Sequence, residues 1–362
     1  MRDSIRDLLE NGLREEVYPG AVLIVAQGKQ IVSLLNIGNR ALVPKHLPME
    51  KETIFDLASL TKPLGTALAC LKLVDQGLLD LDTAISDFIE PFPWKDKVGL
   101  STRLLLNHSA GLAHWKPFYR ELMRYPVEER KPLVRRLIME EPLLEAPKSV
   151  SLYSDLGFML LEWIVEVIAE QDLSSFLDAA FYQPLGLETL YLDHVTIARY
   201  KKERFAATEY CAWRRQIVQG HVHDENAHAL GGYSGHAGLF GTAQDVLTVA
   251  STLVGIHGGA ASELLSPETV RTLFSRQSIV EGSTFALGWD TPGGENPSCG
   301  VLFSSNSVGH TGFTGTSLWI DLDKNITVIF LTNRVHPTRS NEKIREFRPK
   351  LHNLIMREFG YG

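Results

Sequence analysis

Apolar positions along the chain fall into distinct textures. Near the start, Ile5, Leu8, Leu9 and Leu13 recur at helical spacing within residues 2–16. The following stretch, AVLIVAQGKQIVSLLNIG, is two apolar runs around Gln27-Gly28-Lys29, the pattern of an antiparallel hairpin. Toward the other end GTSLWIDLDKNITVIFLTN repeats that pattern around Asp323-Lys324-Asn325, and residues 341–358 return to helical periodicity. The two ends together predict one antiparallel sheet with helices on a face.

Between them, residues 63–190 are dominated by helical signals. Pro63 is best tolerated in a first turn and Gly77 is a plausible stop, so a helix begins within a few residues of Ser59. A second helix takes Ser154 or Asp155 as N-cap and runs through Leu156, Leu160, Leu161, Ile164, Val165 and Ile168. The expected fold class is α/β of the α+β type. Residues 1–62 and 230–362 form a sheet domain, residues 63–229 an α-rich insertion, and the active site lies between them.

Composition narrows the partners. The 362 residues are 44% hydrophobic and 22% charged, which is globular and argues against disorder. A net charge of −7 offers no broad attraction to nucleic acid or anionic lipid. Cys70, Cys211 and Cys299 are too few and too scattered for a disulfide framework or a metal knuckle. The opening MRDSIRDLLENGLREEVYPG has no apolar run suited to a signal peptide or membrane span, so a cytoplasmic location is expected.

The candidate chemistry begins at IFDLASLTKPLGTAL, where Ser59 and Lys62 stand three apart at a helix start. Such a pair arises on the order of once by chance in a chain of this length. It reads either as an N-cap or as a nucleophile beside its base, since residues three apart share a helical face. The positive field at a helix N-terminus would lower the Lys62 pKa and favour the second reading. Two further segments support it: Tyr153-Ser154-Asp155 at the mouth of a helix, and His310-Thr311-Gly312 at the entry to a strand.

These three segments, in this order, resemble the serine β-lactamase and penicillin-binding-protein family, with its Ser-x-x-Lys, Ser-Asp-Asn-type and Lys-Thr-Gly elements. The chain is most similar to the class C-type branch, whose second element is Tyr-x-Asn and which includes esterases, D-aminopeptidases and muropeptide amidases. The resemblance spans about residues 18–335, including YPGAVLIVAQGKQIV, LLLNHSAGL and GLFGTAQDV. It implies a β-lactamase/transpeptidase-like fold and a cofactor-free serine hydrolase that forms an acyl-enzyme on Ser59. Lys62 would accept the proton and Tyr153 would shuttle it, while the N–H groups of Ser59 and Phe313 form an oxyanion hole. Asp155, His310, Thr311, Gly312 and Phe313 would contact a small-molecule or peptide-type substrate, cell-wall fragments among the candidates.

Two departures from the family pattern alter the expected selectivity. Asp155 replaces Asn, which would hold Lys62 protonated, favour a cationic or neutral substrate group, or simply cap its helix. His310 replaces Lys, so recognition of an anionic substrate should depend on pH in the histidine range. The segment GHVHDENAHALGGYSGHAG raises a rival, a metal-dependent hydrolase on His221 and His223, rings that a strand would point to one side. A non-catalytic ligand-binding or sensor module is the other rival. His236 and Trp115 are pocket-lining candidates, Phe118, Tyr119 and Trp213 could wall a cleft, and His108 reads as a structural residue closing a helix end.

Overall fold

The computed structural model describes residues 2–89, 95–196 and 198–362. Its helix α1 (Arg2–Arg14) leads into strands β1 (Gly20–Gln27) and β2 (Gln30–Ala41), joined at Gly28, whose φ of 57° suits the tight turn. Helices α2 (Ala67–Asp75), α3 (Asp155–Ala169) and α4 (Ala243–His257) follow. The chain then forms β3 (Ser307–Thr311), β4 (Ser317–Asp321), β5 (Ile326–Thr332) and helix α5 (Ile344–Glu358).

The main sheet is antiparallel, in the order Leu47–Pro48, β2, β1, β5, β4, β3. Strand β1 sits between β2 and β5 with Ala21 opposite Ile37 and Thr332. Alternation along β1 sends Val22, Ile24 and Ala26 into one core and Ala21, Leu23 and Val25 into another. The first core also holds Leu68, Leu71, Leu160, Ile164, Val246 and Ala250 of α2, α3 and α4, and the second holds Ile5, Leu9, Phe347 and Leu351 of α1 and α5. Helices therefore flank the sheet on both faces. Burial on both sides is why β1 reads as an unbroken apolar run rather than an alternating one.

The three free cysteines are all buried. Among the described residues no helix is long and apolar enough to cross a membrane.

Candidate active site

The chain leaves the short strand Phe55–Asp56 and enters a tight 3₁₀ turn, Ala58–Leu60, that carries Ser59. Ala58 adopts φ 49°, a left-handed conformation costing roughly 1–3 kcal/mol for a residue with a side chain. Two contacts hold it there: the Ala58 N–H donates to Asp56 Oδ1 at 2.9 Å, and its carbonyl accepts from Thr61 Oγ1 at 2.6 Å. Because C=O and N–H of a trans peptide point in opposite directions, engaging the Ala58 carbonyl turns the Ser59 N–H the other way. A five-residue π-helical turn, Lys62–Thr66, with Pro63 in its first turn, then leads into α2. Ser59 makes no side-chain cap bond to this helix start, so the N-cap reading of Ser59 does not hold.

The Ser59 hydroxyl instead accepts from Lys62 Nζ at 3.2 Å. The Lys62 ammonium has no solvent exposure, and its other two protons go to Asp155 Oδ1 at 2.7 Å and the His236 carbonyl at 3.2 Å. Burial alone would depress the Lys62 pKa, but the Asp155 carboxylate, aided by Tyr153, outweighs it and holds the amine above its ordinary value. The lowering expected from the helix field is thus reversed by a charge in contact.

Ser154 is the N-cap of α3, its hydroxyl accepting from the Gly157 N–H at 3.3 Å, and this fixes Tyr153 and Asp155 at the helix mouth. The Tyr153 phenol stands beside Lys62 and Ser59, and its ring centroid lies 4.8 Å from Lys62 Nζ. Burial pushes the phenol up, with Lys62 only partly opposing, so Tyr153 stays protonated near neutrality.

The third segment closes on the Ser59 turn from β3. Thr314 Oγ1 donates to the Asp56 carbonyl at 2.8 Å and Thr316 Oγ1 to the Leu57 carbonyl at 3.0 Å. Gly312 makes this approach possible, since a β-carbon there would stand 2.1 Å from Thr316 Oγ1 and 2.6 Å from the Leu57 carbonyl. The Gly315 N–H holds the Gly312 carbonyl at 3.0 Å, which turns the Phe313 N–H outward by the same trans-peptide argument. Among the described residues, neither the Ser59 nor the Phe313 N–H donates to a protein acceptor. His310 is buried, with Nδ1 2.9 Å from the Thr311 carbonyl, to which it donates, leaving Nε2 as an acceptor. Burial and Lys62 push its pKa down to about 3, so the ring stays neutral and the expected charge change in the histidine range does not arise there.

A cleft of about 590 Å³ gathers Ser59, Tyr153, Asp155, His236, His310, Thr311, Gly312, Phe313 and Trp115. His236 is buried, and Asp224, 3.0 Å from its Nε2, outweighs burial to raise its pKa. Of the other aromatic candidates, Phe118 packs into the core, while Tyr119 lies against Trp213 with ring centroids 5.3 Å apart and planes tilted by 32°. His221 and His223 lie in an irregular segment rather than a strand and face different carboxylates, Asp193 at 3.6 Å and Glu209 at 3.4 Å. Among the described residues no group of three or more His, Cys, Asp or Glu side chains could hold a metal ion.

Several residues of the site escaped the sequence reading. Asp56 is fully buried, and desolvation pushes its carboxyl up to about 6 against the N–H groups of His223 and Ala58. His108 does more than end a helix: its Nδ1 accepts the Ser154 N–H at 3.1 Å and its ring lies 4.5 Å from that of Tyr153. Arg334, Arg345 and Arg348 line the cleft. Arg348 is 5% exposed and has no carboxylate partner among the described residues, its one hydrogen bond reaching the Thr316 carbonyl at 3.4 Å. Burial, with Arg334 adding to it, lowers the Arg348 pKa to about 10. Asp56 and His108 sit inside phrases already marked by the sequence, but their roles, like those of the arginines, come from contacts with distant segments.

Comparison with known proteins bears on the family and the fold. A family model described as Beta-lactamase matches residues 5–351. A putative D-alanyl-D-alanine carboxypeptidase of Escherichia coli (strain K12) is 32% identical over 346 residues, covering 88% of this chain and 79% of the relative. An N-acetylmuramyl-L-alanine amidase of Bacillus subtilis (strain 168) is 33% identical over 350 residues, covering 88% and 78%. Among solved structures, EstCE1, a hydrolase with promiscuous acyltransferase activity, superposes with a TM-score of 0.72 at 23% identity, covering 95% of this chain and 97% of that one. The octameric penicillin-binding protein homologue from Pyrococcus abyssi gives 0.74 at 19%, covering 98% and 77%. These two structures bear on the fold, which is β-lactamase/transpeptidase-like. With the family matched across nearly the whole chain and relatives above 30% identity spanning most of it, this protein belongs to the Beta-lactamase family of serine hydrolases.

Proposed function

We propose that Ser59 is the acyl-accepting nucleophile of this hydrolase and that the scissile bond is a peptide-type amide bearing a nearby carboxylate. The observation that carries the first part is the Lys62 ammonium seated between Ser59 Oγ and Asp155 Oδ1, with Tyr153 touching both Ser59 and Lys62. In the reactive fraction Lys62 is neutral. It takes the Ser59 proton as Oγ bonds to the carbonyl carbon, and the N–H groups of Ser59 and Phe313 receive the oxyanion. Such a donor is worth about 2.7–4 kcal/mol. Tyr153 passes a proton to the departing amine as the C–N bond breaks and recovers one from Lys62, and water then cleaves the ester.

The second part rests on Arg345 and Arg348 in the cleft wall. With His310 neutral, these guanidiniums supply the positive charge that the family's lysine would otherwise give. The relatives named as a carboxypeptidase and a muramyl-alanine amidase point the same way, toward cell-wall fragments. A cytoplasmic location and the division into a sheet part (1–62 with 230–362) and a helical part (63–229) flanking the cleft belong to the same proposal. The test is a panel of D-alanyl-D-alanine peptides and N-acetylmuramyl peptides, each with a free or an amidated carboxylate. The free acids are expected to give roughly fivefold higher kcat/KM, about 1 kcal/mol for a partly desolvated charge pair. Equal rates for both forms would remove the carboxylate from the proposal.

Asp155 sets the pH at which the enzyme turns on. A base must be deprotonated to act, and Lys62 is held protonated by Asp155, so kcat/KM should climb with rising pH on its acid limb. Asp155→Asn restores the family's usual residue and leaves burial as the dominant influence on Lys62. The acid limb should then move down by roughly one to three pH units. A limb that stays in place would show that it belongs to another group.

A further inference from the structure

Helix α3 carries a second acidic residue seven positions beyond Asp155, two helical turns along the same face. Glu162 is 4% exposed and interrupts an otherwise apolar stretch of that helix. Its Oε2 accepts from Ser234 Oγ at 2.6 Å and from the Gly235 N–H at 2.9 Å. Its Oε1 stands 2.7 Å from Lys131 Nζ, an ion pair that keeps Glu162 ionised despite burial.

The residues it grips form a closed turn. Ser234 and Ala237 exchange backbone hydrogen bonds at 2.9 and 3.1 Å, which places Gly235 and His236 at the tip. The turn is pressed against α3 so closely that a β-carbon on Gly235 would meet the Phe158 carbonyl at 2.1 Å. On the opposite side Thr66 Oγ1 donates to the Gly235 carbonyl at 2.6 Å, tying the turn to the helical segment that bears Lys62. The next carbonyl, that of His236, receives the Lys62 ammonium at 3.2 Å.

From this geometry we infer that Glu162, held in place by Lys131, is a positioning residue for Lys62: it fixes the Ser234–Ala237 turn and thereby the His236 carbonyl that completes the ammonium's three acceptors. One rigid helix thus addresses the same amine twice, directly through Asp155 and indirectly through Glu162. The inference rests on the proposed role of Lys62 and extends it to a residue that touches neither substrate nor reacting atoms.

Glu162→Gln keeps the shape but cannot satisfy both sides. Its amide oxygen can still accept from Ser234 and Gly235, but its NH₂ group then faces the Lys131 ammonium, donor against cation. The turn loosens and Lys62 loses an acceptor. The expected result is a tenfold or greater fall in kcat with KM within about twofold, and an acid limb displaced to lower pH. Ser234→Ala, which removes one donor and leaves the ion pair intact, should give a smaller change of the same kind, and this covers the case in which Glu162→Gln folds poorly. Glu162→Asp, which keeps the charge on a shorter arm, should recover part of the loss.

A titration of ¹³Cε-labelled lysine by NMR, with the Lys62 signal assigned by its loss in Lys62→Arg, reads the same effect whatever bond the enzyme cleaves. The Lys62 pKa should be lower in Glu162→Gln than in wild type. An unchanged Lys62 titration, with activity falling only in step with the folded fraction, would reduce Glu162 to a packing role and overturn the inference. Full activity of Ser59→Ala would instead overturn the assignment of the nucleophile and leave the lysine titration to decide on Glu162.

Discussion

Ser59→Ala is expected to fold normally and to lose essentially all turnover. The Ser59 hydroxyl contacts Lys62 and Tyr153 but supports no backbone group, so its removal should change unfolding free energy by no more than about 0.5 kcal/mol. The chemistry has no substitute at that position. Lys62 has no solvent exposure, and Tyr153 is a partly buried, protonated phenol beside it. The drop in kcat/KM should be on the order of 10⁴-fold or more, since the loss of a nucleophile takes with it most of what its base contributes. Intact-mass analysis after exposure to a fluorophosphonate should show one adduct on wild type, mapped to Ser59, and none on the variant. An adduct on another residue, or undiminished aryl-ester hydrolysis by Ser59→Ala, would move the active centre elsewhere.

Lys62→Arg separates two roles that the lysine could play. Arginine keeps a cation beside Asp155 but has a pKa above about 12 and does not exchange its proton in the working range. If Lys62 serves as proton acceptor, the variant should lose roughly 10²- to 10⁴-fold in kcat/KM and should lose the acid limb that Lys62 imposes. If it serves only as a fixed charge, most activity should survive. Overpacking a buried site costs about 1–3 kcal/mol, so thermal unfolding is followed in parallel and Lys62→Met provides a smaller companion. Retention of more than a tenth of wild-type kcat/KM by Lys62→Arg would rule out the acceptor role.

What could be read from the sequence divides along the distance over which each feature is encoded. The hairpin around Gly28, the β4–β5 hairpin and the Ser154 cap are written in a few consecutive residues, and the structure has them where the pattern places them. Ser59, Lys62 and Tyr153 can be singled out because each sits in a short family-like phrase; Ser59 and Tyr153 line one cleft, and the buried Lys62 contacts Ser59 from behind it. The protonation of Lys62 was less legible. The local helix field alone implies a depressed pKa, whereas the deciding carboxylate comes from Asp155 on another helix. Arg348 reads in isolation as an ordinary charge on an amphipathic helix, and Glu162 as an odd one in an apolar run. Only the tertiary arrangement turns the first into an unpaired cation in the cleft wall and the second into the clamp of a turn. His-x-His implies paired ligands only on a strand, and the backbone there is irregular.

The place of β1 in the sheet carries a consequence for how the enzyme comes into being. Its pairing of Ala21 with Thr332 joins segments from opposite regions of the sequence, and Thr314 and Thr316 cannot fasten onto the Ser59 turn until that late part of the chain has arrived. Contacts of such sequence separation form slowly because a long loop must close before any of them is rewarded. During synthesis or after dilution from denaturant, the helical segments can therefore be in place while Ser59 and Lys62 still lack the Phe313 N–H opposite them. Hydrolytic competence should appear late and in a single phase, tracking closure of the sheet rather than recovery of helical circular dichroism.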